Sequence, residues 1–181
     1  MLRWLIPLLA ALPVSAQTLQ TTWGMTPAQV KAVESGQPTE VQGGLQYASP
    51  DTRLVYIFAK NKLVRARFTF RAEHGELNDF IRDFQAVETS LAQKYGKPIG
   101  DRAIWTDDST QDEPKSYLDQ DRATATGILP SDRAVGLAVS LGHLKMYTEW
   151  AAGQTKIRHT LTGAAGHVTH QLEFLSADLD W

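Results

Sequence analysis

The sequence predicts an α+β domain in which helices pack on one face of an antiparallel β-sheet. Two hairpins and one long amphipathic helix predict it. Leu54 to Phe70 and Ile157 to Phe174 each alternate apolar and polar residues with period two around a turn, as half-buried hairpins do. Leu77, Phe80, Ile81, Phe84, Val87, Leu91 and Tyr95 repeat at i, i+3, i+4 and i+7, which gives a helix one apolar side. A hairpin alone is marginal in water, so its apolar face requires a covering layer, and this helix directly follows the first hairpin.

Residues 1–16 stand apart from that domain. Met1-Leu2-Arg3 is a positive start, Trp4 to Leu12 is an apolar run broken only by Pro7, and Val14 and Ala16 are small residues three and one before a cleavage point. This reads as a secretory signal peptide, because the run is too short to span a bilayer. Residues 17–181 then form one domain, exported to the periplasm or secreted. The whole chain is 43% apolar and 21% charged, as a globular protein is, and losing Arg3 with the leader takes its formal charge from −2 to about −3, which argues against a nucleic-acid binder. No cysteine occurs, which excludes thiolate metal sites, a cysteine nucleophile and a lipid-anchored N-terminal cysteine.

The domain opens with Trp23-Gly24-Met25-Thr26-Pro27-Ala28-Gln29-Val30. Thr26 as N-cap, Pro27 at the first helical position and Gln29 three residues on predict a helix of about ten residues, ended by Gly36. Leu45 to Ala48 is a short strand, and Ser49-Pro50-Asp51 turns into the first hairpin. Asn61 in the left-handed region puts Leu54, Tyr56, Phe58, Val64, Ala66, Phe68 and Phe70 on one face. Arg53, Val55, Ile57, Leu63, Arg65, Arg67 and Thr69 fall on the other.

The Leu77–Tyr95 helix stops at Gly96 and Pro98. Its expected role is to cover the first hairpin, with Phe80 and Phe84 against Phe68 and Phe70. Ala103-Ile104-Trp105 starts a strand, and residues 106–130 are a polar, acidic loop. Ser131 caps a helix to Leu141, in which Gly136 costs about 1 kcal/mol. A strand follows from His143 to Ala151. In the last hairpin a four-residue Gly163–Gly166 loop sets Leu161 opposite Val168 and His159 opposite His170. The chain thus divides into two halves of similar layout, 22–75 and 76–176, with no residue-by-residue repeat.

Trp23 to Val30, Val55-Tyr56-Ile57-Phe58 with Lys62-Leu63, and Lys94-Tyr95-Gly96-Lys97-Pro98 resemble a pattern of small exported bacterial proteins of uncharacterised role. Their layout is similar to the helix-plus-sheet modules of β-lactamase inhibitor protein and the SmpA/OmlA outer-membrane assembly lipoproteins. The resemblance implies a protein-binding, non-catalytic module and assigns no functional residue. The lipoproteins carry a lipid-bearing cysteine, which this chain lacks.

Three clusters are candidate sites. Arg53, Arg65 and Arg67 beside Val55 and Ile57 form a face suited to an acidic envelope protein or an anionic ligand; the same stripe also suits a solvated sheet face whose arginines pair with carboxylates elsewhere. His159 and His170, if directly opposed, lie about 4.5–5.5 Å apart at Cβ and are candidate metal ligands, though zinc needs further donors. The plain alternative is a satisfied pair at a sheet edge. Asp107, Asp108, Asp112, Glu113, Asp119 and Asp121 do not follow the spacing of a calcium loop. No nucleophile or metalloprotease motif occurs. The expected function is a binding module without cofactor, and the competing one is a metal-binding or hydrolytic protein using the two histidines.

Overall fold

The period-two stretches become strands of one antiparallel sheet. The computed structural model describes residue 19, residues 21–107 and residues 132–177. The expected leader, 1–16, residues 108–130 of the expected acidic loop and the expected cap Ser131 lie outside the described residues. In chain order the elements are α1 (Pro27–Val33), β1 (Thr39–Val41), β2 (Gly44–Ala48), β3 (Thr52–Ala59), β4 (Lys62–Phe70), α2 (Leu77–Tyr95), β5 (Gly100–Trp105), α3 (Asp132–Leu141), β6 (Leu144–Ala152), β7 (Thr155–Ala164) and β8 (His167–Ser176). The eight strands run β1-β2-β3-β4-β8-β7-β6-β5 across the sheet. Each half of the chain therefore contributes four consecutive strands, and the last strand of each meets at the centre. The described helices all lie on one face.

α1 forms as its capping residues dictate. The Gln29 amide donates to Thr26 Oγ1 at 3.4 Å and the Thr26 amide donates to Gln29 Oε1 at 2.8 Å. The helix is shorter than expected, closing at Glu34. Val30 is its buried residue, and Val33 stays exposed.

The β3–β4 turn places both Lys60 (φ 50°) and Asn61 (φ 63°) in the left-handed region, as a two-residue hairpin turn with matching twist requires. A register shift between Ile57 and Phe58 pairs Phe58 with Leu63. That irregularity corrects one expectation: Leu63 does not join the arginines on the outer face but is fully buried in the core.

α2 occupies its predicted span but a different seat. It packs over β6, β7 and β8, and only its last turns, through Val87 and Leu91, reach the core shared with Tyr56, Ala66 and Phe68. The expected four-phenylalanine cluster does not form. Phe68 meets Phe174 edge-on, Phe70 lies against His170, and Phe84 stacks on His159. α3 explains its glycine. A Cβ on Gly136 would lie 2.7 Å from the Leu77 carbonyl carbon, so Gly136 lets α3 cross the start of α2 closely.

The resembled motifs serve as fastenings. The Trp23 indole donates to Thr155 Oγ1 at 2.9 Å, tying the first segment to β7. The Trp150 indole donates to the Gly96 carbonyl at 3.0 Å, tying the end of α2 to β6. In the last hairpin the turn is Ala165-Gly166, with φ of 51° and 86°, not a four-residue loop. The pairing slides by two residues, which keeps every side chain on its expected face. Leu161 pairs with His170 and His159 with Leu172.

Candidate functional site

Opposite the helices, the sheet's other face has no covering element among the described residues. Strand alternation and register place its side chains in rows. The central row runs Val55, Arg67, Glu173, Arg158, Glu149 across β3, β4, β8, β7 and β6. Arg53, Val55, Ile57, Arg65 and Arg67 share this face, as their alternation predicts.

Unpredicted partners from the second half complete it. Arg67 Nε donates to Glu173 Oε1 at 2.6 Å, and Arg65 Nη1 lies 3.7 Å from the same oxygen. Arg158 donates from Nε and Nη2 to Glu149 Oε1, both at 3.2 Å. The Arg158 guanidinium lies 5.6 Å over the ring of Tyr147, whose hydroxyl is raised in pKa first by burial and then by Glu149. Opposite charges thus alternate along the row, which holds the long arginines in defined positions.

In sum of charge the face is lopsided. Arg53, Arg65, Arg67, Arg102, Lys145, Lys156 and Arg158 stand against Glu149 and Glu173, seven cations to two carboxylates. The whole chain has a formal charge of −2, so the cationic excess is local. Val55, Ile57, Leu175 and Tyr147 interleave it and are half-buried. Such a surface attracts acidic partners over long range and offers apolar contact once they arrive.

The second candidate lies on the covered face. His159 is fully buried and His170 nearly so. They sit diagonally rather than directly opposed, and their Nε2 atoms are 2.7 Å apart. Phe84 stacks on His159 with ring centroids 4.0 Å apart and planes 6° from parallel, while Phe70 tilts over His170 at 4.3 Å. Burial first, and the neighbouring imidazole second, bring His159 down to about 2; burial and His74 bring His170 down to about 4. The pair is therefore neutral, one Nε2–H donating to the other Nε2. The Nδ1 of His159 is buried without a hydrogen-bond partner, which favours the tautomer with its proton on Nε2. Among the described residues no group of three or more His, Asp or Glu side chains is placed to hold a metal ion. Two nitrogens alone fall short of the three or four protein ligands that zinc sites use.

The third candidate is represented only by Asp107, whose Oδ2 lies 3.7 Å from His143 Nε2; the other five carboxylates lie outside the described residues. No family model, curated protein or solved structure matches this chain.

Proposed function

We propose that the protein is a non-catalytic binding module of the bacterial envelope, and that it docks a protein partner with an acidic surface on the uncovered sheet face. The observation that carries this reading is the local excess of cations, three of which, Arg65, Arg67 and Arg158, are held by Glu173 and Glu149, interleaved with half-buried apolar residues. Preorganised arginines lose little freedom on binding, so they suit an interface better than free surface lysines do. Export to the periplasm or beyond rests on the leader-like residues 1–16 and on the absence of cysteine. The motif resemblance to exported helix-plus-sheet modules agrees with it.

A metal-dependent or hydrolytic role for His159 and His170 has less behind it. The pair is shut inside the core beneath Phe84, and each imidazole already occupies the other's Nε2.

The test is affinity capture from the envelope of the organism that makes the protein, comparing wild type with Arg53→Glu/Arg102→Glu. Both residues are exposed and neither belongs to the Glu173 or Glu149 pairs. Wild type should recover a partner whose yield falls as salt rises, and the reversed variant should lose it with unchanged folding. Equal recovery by both proteins contradicts the reading.

A further inference from the structure

We propose that the cavity beside the C-terminal end of α1 is a binding site for a compact amine, a ligand with a protonated ammonium head and a small apolar body. The cavity lies on the helix-covered side of the sheet, so the proposal stands independently of the charged face.

The geometry follows from the shortness of α1. The helix has seven residues and closes at Glu34, whose amide donates to the Val30 carbonyl at 3.0 Å. Past that point the cross-strand row Tyr47, Leu54, Phe68 has only partial cover. The gap measures about 340 Å³, within the usual size of small-molecule pockets. Tyr47 and Leu54 form its accessible apolar wall, and Ser35, Ser49 and Thr52 line its polar rim with Glu34.

Three features select an ammonium. Fully buried Tyr56 donates its hydroxyl to Glu34 Oε1, which fixes the carboxylate beside the cavity. Tyr47, whose ring meets that of Tyr56 edge-on at 5.9 Å, has a buried hydroxyl oxygen with no hydrogen-bond partner. That hydroxyl can accept or donate; an ammonium satisfies it as an acceptor, while the anion that would satisfy it as a donor is disfavoured by the Glu34 carboxylate nearby. Lys31, one turn before Glu34, pairs with Glu40 at 2.8 Å and not with Glu34. Burial first, and after it the Glu34 charge, raises the Tyr47 pKa against the opposing charge of Lys31; burial opposes charge of either sign, and the Glu34 part alone favours a cation. An anion would instead be repelled by the Glu34 carboxylate.

The experiment is titration of the purified protein at neutral pH with phenethylamine, phenylacetate and 2-phenylethanol, followed by NMR shifts and calorimetry. Phenethylamine should saturate and bind at least about ten-fold more tightly than either analogue. Its shifts should centre on Tyr47 and Leu54. Glu34→Gln should erase that preference, and Ser35→Trp on the exposed rim should block all three probes. Should Glu34→Gln fail to fold, the wild-type preference and Ser35→Trp decide. The absence of saturable phenethylamine binding, equal affinity for phenylacetate, or unchanged binding in Ser35→Trp overturns the proposal.

Discussion

Strands β7 and β8 carry two polar clusters a single residue apart, with opposite fates. Arg158 and Glu173 point to the uncovered face and join a ladder of charges. Their neighbours His159 and Leu172 point inward, where His159 meets His170 beneath Phe84. Strand alternation alone decides which side chain meets water and which meets aromatic rings. In the ladder, charge persists because solvent and opposite charges share its cost. In the core, charge is expelled, and two imidazoles satisfy one another as neutral groups. The ladder is thus available to a partner while the pair is committed to the fold.

Acid should separate the two clusters most strongly. Both histidines are held below the ordinary imidazole value of 6.5, at about 2 and about 4. The unfolded chain therefore takes up protons first as pH falls. Their contribution to stability is complete above about pH 6.5 and is lost progressively as pH falls toward 4, at roughly 1.4 kcal/mol per pH unit for each histidine. Glu88, raised chiefly by burial and then by Asp101, works in the opposite direction. Urea unfolding of wild type and of His159→Leu/His170→Leu across this range isolates the histidine part. The wild type should show the steeper fall, and parallel curves would mean that the pair is not held neutral by the fold.

A smaller effect is expected in the ladder. Glu173→Ala removes the carboxylate shared by Arg65 and Arg67 and should cost about 1 kcal/mol, since both arginines remain partly in water. Arg158→Ala should shift the unfolding midpoint least, by under about 0.5 kcal/mol, because its partner Glu149 is 30% exposed. Chemical denaturation with unchanged slope is the measure for both. A loss at Arg158 larger than at Glu173 would reverse the ranking and make the outer row structural.

How far the sequence reached follows the range of each interaction. Period-two and period-3.6 stretches located β3, β4, α2 and the last hairpin, because their information is local. The three-residue β1 was missed, since Thr39-Glu40-Val41 is too short to show a period. Leu63 was misplaced because a bulge flips the alternation without altering composition. The last hairpin's register was offset by two because Ala165 takes a left-handed conformation that alanine does not advertise. Arg53, Arg65 and Arg67 could be assigned to one face from alternation. Their partner Glu173 could not, because nothing local states that β8 lies beside β4. The contact between His159 and His170 was reached in part: the shared face was legible, the diagonal pairing was not.

The central claim is that a protein partner docks on the cationic face and not on the outer surface of the helices. Site-specific photocrosslinking in the producing organism tests it most directly, with the reactive residue placed at Val55 or Thr160 on the open face and at Ala86 or Leu137 on the helices. The account predicts a common adduct from Val55 and Thr160 that Arg53→Glu/Arg102→Glu removes, and none from Ala86 or Leu137. Adducts from the helix positions alone would contradict it.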